Sequence, residues 1–285
     1  MVFGISLFEN GIARLSEYFS YGFVRRAMLI AILISLSAAL IGVVLVLKRY
    51  SLLGDGLSHI AFGAVTVAAT VGLSDTWITL PVTVLAAILI LGRRSDRKIM
   101  GDAVIALLST GALALGYTVM SVGGGVSNLG GDVCTALFGS SEIFAVDIAE
   151  VIVTALVTVA LVVLTVVFYY KIFSITFDER FVRATGGRVD LYNTIFSAIV
   201  AVVIVLGMKL AGALLISSLI IFPAMSAMRV CKSFKGVLIV SGIISVIGAT
   251  LGVLISILLG TPIGATIAAV DILIFAVFSL IGTKK

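Results

Sequence analysis

Charged residues are scarce in this chain of 285 residues. Only 12% of them are Asp, Glu, Lys or Arg, and 61% are hydrophobic, whereas a soluble domain is usually about 25% charged. Apolar runs recur along the whole sequence at lengths that suit membrane spans, so the composition predicts lipid as the main solvent. With only three prolines, nearly every run can be helical. We therefore expect an all-α, multi-pass membrane protein.

Motifs for catalysis and nucleotide binding are also missing. The two cysteines, Cys134 and Cys231, are far apart and give no CxxC motif or disulfide framework. The sequence has no GxxxxGK[ST] phosphate loop, no HExxH zinc motif and no nucleophile elbow. We predict that the chain is not an enzyme, does not bind ATP itself and holds no permanent cofactor. Its basic residues are typical of inner loops, so nucleic-acid binding is not expected.

Nine apolar segments are candidate spans, and the pattern allows eight to ten. With nine spans the main Lys and Arg clusters all fall on one side, which the positive-inside rule places in the cytoplasm together with the C-terminus. The N-terminus is then outside, and the periodic segment 1–23 is predicted to lie in the membrane interface. The candidate spans are 27–47, 52–73, 77–92, 103–122, 147–170, 190–207, 211–228, 237–259 and 263–282.

An ionisable pair lies in the second span. The stretch "SLLGDGLSHIAFG" (51–63) places Asp55 four residues before His59, the only histidine of the chain. Ionisable groups inside a membrane are costly and normally mark a pathway, a cavity or a partner, and carboxylate and imidazole are donors that zinc and manganese accept. We predict that Asp55 and His59 bind a metal ion, with further ligands from elsewhere in the chain, a symmetry mate or water. A packing hydrogen bond or a proton pathway would use the same two residues.

Other polar residues extend this pattern. Ser51 and Thr66 share the helical stripe of the pair, because residues at i and i+4 lie on one face, and both are possible pathway residues. Asp271, well inside the last span, is either a pathway residue or the partner of a Ser or Thr on a neighbouring helix. In the inner connection 171–193, Asp178 and Gly186 predict a short helix over 178–185 between an N-cap and a glycine stop. This helix is either a docking element or part of a solvated linker.

Four motifs in sequence order resemble those of the membrane permease subunits of ABC importers for zinc, manganese and iron. They are "RYSLLGDGLSHIAFG", "FDERFVRATGGRV", "MKLAGALLISSLIIFPAMSAMRV" and "GTPIGATIAAV". The resemblance covers nearly the whole chain after about residue 23. One departure is Ser140, which follows Phe138 and Gly139 where the family usually has Asp, and this puts a metal role at that position in doubt.

The resemblance implies a single permease domain over 1–285 with a vitamin-B12-importer-like (type II) fold in a bacterial cell membrane. It further implies a homodimer with the pathway between the copies, two cytoplasmic ATPase subunits and an extracytoplasmic metal-binding protein. By this resemblance, Asp55 and His59 are expected to bind the metal, and the region 174–190 is expected to contact the ATPase. The residues implied for this contact are Asp178, Glu179, Arg180, Ala184 and Gly186.

The sequence leaves open which metal is transported and which class of transporter the chain belongs to. One His and one Asp suit zinc or manganese, and zinc is our first expectation. The alternative function is a secondary transporter driven by ions or protons, which should show inverted repeats and broken helices. No clear repeat is visible, and Pro223 is the only proline deep in a span. An intramembrane enzyme that uses Asp55 or Asp271 is disfavoured because no paired catalytic motif accompanies either residue.

Overall fold

The computed structural model describes residues 18–71, 75–91, 101–122 and 147–282, and this part of the chain contains helices and turns but no strand. The all-α prediction is therefore confirmed for the described residues. Predictions on most of segment 1–23, on Cys134 and on Ser140 lie outside them. The helices are α1 (Gly22–Leu47), α2 (Leu53–Val71), α3 (Asp75–Leu91), α4 (Gly101–Val122), α5 (Ile148–Val167), α6 (Tyr169–Phe177), α7 (Glu179–Ala184), α8 (Val189–Ala211), α9 (Ala213–Val230), α10 (Phe234–Leu259) and α11 (Ile263–Gly282).

Five of the described helices are long and apolar enough to cross a membrane. They contain the stretches Gly22–Leu47, Ile148–Val167, Val189–Met208, Phe234–Leu259 and Ile263–Gly282. Four other helices contain shorter apolar stretches: Leu53–Ala68, Thr79–Leu91, Ala103–Val119 and Leu215–Val230. Each of these nine stretches overlaps one predicted span, because a long and mainly apolar run in lipid satisfies its backbone hydrogen bonds by forming a helix.

One boundary differs from the sequence prediction. The span expected to end at residue 170 is followed, after Phe168, by α6, which extends to Phe177. The aromatic rings of Tyr169, Phe173 and Phe177 recur every four residues, and all three contact the ring of Phe234 at the start of α10. This tertiary contact gives the helical face a packing partner, which is why the chain continues as a helix where charged residues suggested a linker.

Glycines allow the closest helix crossings. A Cβ atom at Gly42 of α1 would overlap the backbone of Ile220 in α9, and one at Gly63 of α2 would meet the carbonyl group of Ala112 in α4. Small residues of this kind let membrane helices approach closely and gain dispersion energy. Helix α1 packs against α5, α9 and α10, while α2 packs against α3, α4 and α9. The first two helices therefore organise most of the bundle.

Several basic residues lie at one end of the bundle, which we call the basic end. Lys48, after α1, bonds to Asn193 near the start of α8, and Lys171 of α6 bonds to the neighbouring Tyr192. Helix α6 contacts the start of α10, and the last residues of α11 lie against Arg229 at the end of α9. The packing thus brings together clusters that are far apart in sequence. Placement of this end in the cytoplasm stays a prediction.

Candidate functional site

Asp55 and His59 lie one helical turn apart near the start of α2. The His59 Nε2 atom is 3.4 Å from Asp55 Oδ2, and the side chains are 18% and 43% exposed, respectively. Asp55 is in the first turn of the helix, where the helix dipole favours a carboxylate. The geometry therefore leaves an accessible oxygen and nitrogen donor pair on one face of an apolar helix.

The start of α2, which carries the pair, packs against α9 beside α1. Ile220 of α9 contacts both Gly54, next to Asp55, and Gly42 of α1. Because Gly42 is more than one helical turn before the end of α1, the start of α2 lies at the depth of the α1 interior. A charge at that depth needs a polar partner, a water-filled space or another chain.

Ser217 is a third donor that the sequence prediction did not name. Its side chain hydrogen-bonds with the Asp55 carboxylate. The motif of α9 contains two adjacent serines, and the sequence alone does not tell which one faces α2. The structure distinguishes them, since the Ser218 hydroxyl donates to the carbonyl of Leu215 in its own helix at 2.8 Å. Only Ser217 therefore belongs to the site.

The surroundings of the second imidazole nitrogen of His59 also matter for metal binding. His59 Nδ1 is buried and has no hydrogen-bond partner among the described residues. In the same part of the chain no group of three or more His, Cys, Asp and Glu side chains could hold a metal ion. The described residues thus supply a two-residue cluster with an added hydroxyl, which fits a metal ion only if further donors come from outside this set.

The predicted polar stripe holds for the pair but not along its whole length. Ser51 lies in the turn before α2, which begins at Leu53, so its assignment to the helical stripe is wrong. Thr66 is on the helix but buried, and its hydroxyl donates to the carbonyl of Gly63 at 2.8 Å. The adjacent close approach of Gly116 places this stretch against α4. Their pathway roles stay predictions.

Asp271 is a separate feature of the bundle. Its side chain is only 1% exposed, it lies against Gly248 of α10, and neither carboxyl oxygen has a hydrogen-bond partner among the described residues. The expected alternative, a bond to a neighbouring Ser or Thr, is therefore not found there. Helix α11 packs mainly against α9 and α10, whereas α2 packs mainly against α3, α4 and α9. The structure does not bring Asp271 to the Asp55–His59 pair.

The predicted short helix in the inner connection is confirmed as α7. The Asp178 carboxylate accepts a hydrogen bond from the Phe181 backbone N–H at 2.9 Å, which satisfies one of the free donors at the helix start. The helix stops at Gly186, which has a φ of 81°, and the Gly187 N–H donates to the carbonyl of Val182 at 2.9 Å. Both termini thus follow from the residues that the sequence singled out.

The sequence does not predict the tertiary contacts of α7. The Arg183 guanidinium lies 3.3 Å from the Glu179 carboxylate and 2.7 Å from the Asp190 carboxylate, so it links α7 to the first turn of α8. Phe177 and Phe181 are 59% and 64% exposed, and no residue of α7 is buried. Arg180 and Ala184 are exposed as well. The result is a small helix that carries the exposed ring of Phe181, follows directly on the exposed ring of Phe177 at the end of α6, and is anchored on α8 by an ion pair.

Known proteins similar to this chain span nearly its whole length. The manganese import system permease protein ScaB of Streptococcus gordonii is 26% identical over 265 residues, which are 93% of each chain. The manganese transport system membrane protein MntC of Halalkalibacterium halodurans is 26% identical over 269 residues, 94% of this chain and 90% of that protein. The solved structure of PsaBC from Streptococcus pneumoniae in complex with Fab superposes with a TM-score of 0.78 at 26% identity, covering 93% of this chain and 95% of that one.

The family assignment rests on a still more direct match. The family model described as "ABC 3 transport family" matches residues 20–282, a range that includes α1 to α11 and therefore the Asp55–His59 pair, Ser217 and the α7 segment. All four motifs that suggested the resemblance fall within this range, and the resemblance is confirmed. The chain belongs to the ABC 3 transport family.

Proposed function

We propose that this chain is the membrane permease subunit of an importer that moves a divalent transition metal into the cytoplasm, with ATP hydrolysis by a separate subunit. The observation that carries the proposal is the Asp55–His59 pair, with its 3.4 Å approach, inside an apolar bundle. Carboxylate and imidazole donors at that depth suit a metal ion in transit. Membership of an ABC family favours this function over the secondary transporter driven by ions or protons.

Manganese is the first candidate for the cargo and zinc the second. The similar proteins ScaB and MntC are named for manganese. The hydrogen bond between Ser217 and Asp55 adds an oxygen donor beside the pair, and a larger share of oxygen ligands favours manganese, whereas zinc favours nitrogen and sulfur. The names of these similar proteins and the added oxygen donor are the reasons why the order of the two metals differs from the one expected from the sequence.

The functional unit that we propose is a homodimer of nine-span, type II permeases, each forming one domain over 1–285 with its C-terminus in the cytoplasm. The exposure of the Asp55 side chain, 43% in the single chain, supports a second copy. A carboxylate at this depth would be strongly disfavoured against lipid, and a two-fold partner would cover it. The partner would also add a second Asp and a second His to an incomplete ligand set.

The cytoplasmic partner is proposed to dock on α7 and the adjoining Phe177. The two exposed rings suit an apolar groove on an ATPase, and Arg183 connects α7 to Asp190 of α8. Helix α8 in turn packs against α2 and α9, the two helices that carry the site. Movement of the docked ATPase would therefore reach Asp55 and Ser217 through packed helices. An extracytoplasmic metal-binding protein would deliver the ion at the opposite end.

Metal uptake by cells that express the complete transporter tests the proposal. Asp55→Ala and His59→Ala should each abolish manganese uptake while the chain still co-purifies with its ATPase. Ser217→Ala should reduce uptake partially, and Ser218→Ala is the matched control because its hydroxyl bonds within its own helix. Normal uptake by the Asp55→Ala/His59→Ala double variant would refute the metal role. Excess zinc that competes more strongly than manganese would reverse the order of the two metals.

The energy source separates the proposal from the alternative. In proteoliposomes that contain the permease and its ATPase, uptake should require ATP and should stop when the ATPase is replaced by a form that cannot hydrolyse it. Uptake that continues without ATP and follows an ion or proton gradient would identify a secondary transporter instead.

A further inference from the structure

An apolar cavity opens beside the basic end of the bundle, and neither Asp55 nor His59 is among its lining residues. Its volume is about 200 Å³, and it lies between α1, α5, α6 and α8. Aliphatic side chains form most of its wall, including Leu40, Leu164 and Ile199. Such a lining excludes a hydrated ion or a polar metabolite, because either would lose its water without gaining hydrogen bonds. The interior is suited to hydrocarbon.

Two ammonium groups lie at one end of this cavity. Lys48, which lines it, is 9% exposed and donates to the Asn193 side-chain oxygen at 3.0 Å. Lys171 donates to the hydroxyl of Tyr192, another lining residue, at 2.6 Å, and its ammonium lies 5.1 Å from the centre of that ring. Consecutive residues of α8 thus hold both positive charges. The described residues that line the cavity include no Asp or Glu.

We propose that this cavity binds an anionic phospholipid of the cytoplasmic leaflet, with an acyl chain along α1 and α5 and the headgroup phosphate beside Lys48 and Lys171. The two lysines at one end and the apolar lining along the rest are complementary to an amphiphile with an anionic headgroup. Basic pockets between helices on the cytoplasmic side suit such headgroups, since the leaflet itself is anionic. The assignment depends on the basic end facing the cytoplasm and not on the identity of the transported metal.

The place of the cavity gives the lipid a role. The cavity lies at the junction of α5 and α6 and beside the start of α8. Helices α6 and α8 are the two that flank α7 in the sequence. A lipid held there would fill space among α1, α6 and α8 and would steady the base of the segment on which we propose the ATPase docks.

Native mass spectrometry of the full chain in detergent tests the charge requirement. The probes are phosphatidylglycerol and phosphatidylcholine with identical acyl chains, and the wild type should retain phosphatidylglycerol in preference. Since each lysine near an anionic headgroup changes affinity by about fivefold, Lys48→Gln/Lys171→Gln should lower phosphatidylglycerol retention about 25-fold and leave phosphatidylcholine unchanged. Lys232→Gln, at an exposed lysine that is not among the lining residues, is the control. Equal retention of the two lipids by the wild type would overturn the proposal.

A second pair of variants tests the cavity itself. Leu164→Trp should fill it and reduce phosphatidylglycerol retention with both lysines intact, whereas Val163→Trp, at a neighbouring position that is 52% exposed and not among the lining residues, should not. If Leu164→Trp abolishes self-association and leaves lipid retention unchanged, the cavity belongs to an interface with a second copy and the proposal is wrong. Displacement of the bound lipid by inorganic phosphate alone would likewise show that the acyl chain contributes nothing.

Discussion

The crossing of α1 and α9 at Gly42 provides a sharp test of how packing supports the proposed metal site. A Cβ atom at Gly42 would overlap the carbonyl oxygen and carbon of Ile220. These are backbone atoms within a helix, so no side-chain rotation relieves the overlap, and the helices must separate. Overpacking of this kind typically costs 1–3 kcal/mol, whereas replacing a helical Gly by Ala gains about 1 kcal/mol. Gly42→Ala should therefore lower the free energy of unfolding by up to about 2 kcal/mol.

Two other glycine substitutions serve as matched controls in thermal unfolding of the detergent-purified chain. A Cβ at Gly54 would lie 2.8 Å from Ile220 Cδ1, the flexible end of a side chain, and one at Gly111 would meet nothing within 4 Å. We expect Gly111→Ala to unfold at or above the wild-type temperature, Gly54→Ala slightly below it and Gly42→Ala lowest. Equal unfolding temperatures for Gly42→Ala and Gly111→Ala would refute the packing argument.

The same change should also affect transport. Ile220 lies three residues after Ser217 on α9, and Ser217 hydrogen-bonds with Asp55. Separation of α1 from α9 would shift this hydroxyl relative to the carboxylate. Manganese uptake by Gly42→Ala should therefore fall below that of Gly54→Ala and Gly111→Ala at a temperature where all three remain folded. Uptake that follows the amount of folded protein alone would show that the crossing does not position the site.

Three further predictions concern other parts of the chain. Asp271→Asn should unfold at or above the wild-type temperature because neither carboxyl oxygen has a partner among the described residues, whereas Gly248→Ala should unfold lower because its Cβ would overlap Asp271 Oδ1. Arg183→Gln should leave stability within about 1 kcal/mol, as is usual for exposed ion pairs, but should lower the metal transported per ATP hydrolysed in proteoliposomes. Asp178→Ala should destabilise α7 by about 1 kcal/mol and speed its amide hydrogen exchange, while Ser233→Ala, which removes the cap of α10, should leave that exchange unchanged.

Local sequence signals predicted most of the helical architecture. In lipid, a long apolar run satisfies its backbone hydrogen bonds by forming a helix. The last predicted span, 263–282, has the same bounds as α11. The short helix α7 was also predictable, because Asp178 and Gly186 act through bonds within a few residues. The Asp55–His59 approach follows from the same principle, since i and i+4 residues meet on any helix.

These local signals do not predict the contacts between segments that are distant in the sequence. Nothing local distinguishes Ser217 from Ser218, and only the packing of α9 on α2 selects the former. The extension of α6 depends on Phe234, which is far away in sequence, and the anchoring of α7 depends on an Arg183–Asp190 pair that spans two helices. The position of Asp271, away from the pair, likewise results from which helices neighbour α11.

The incompleteness of the proposed metal site is consistent with a role in transport. A transported ion must bind well enough to leave water and weakly enough to be released. The described residues supply one carboxylate, one imidazole and a nearby hydroxyl, which do not enclose an ion, and the second copy that we propose would add a second such set. Since Asp55 lies on α2 and Ser217 on α9, any relative shift of these helices alters the donor set. Helix α8 packs against both and is linked to α7 through Arg183. Movement of the ATPase that we propose docks on α7 would therefore change metal affinity at the proposed site, although the ATPase contributes no ligand to it.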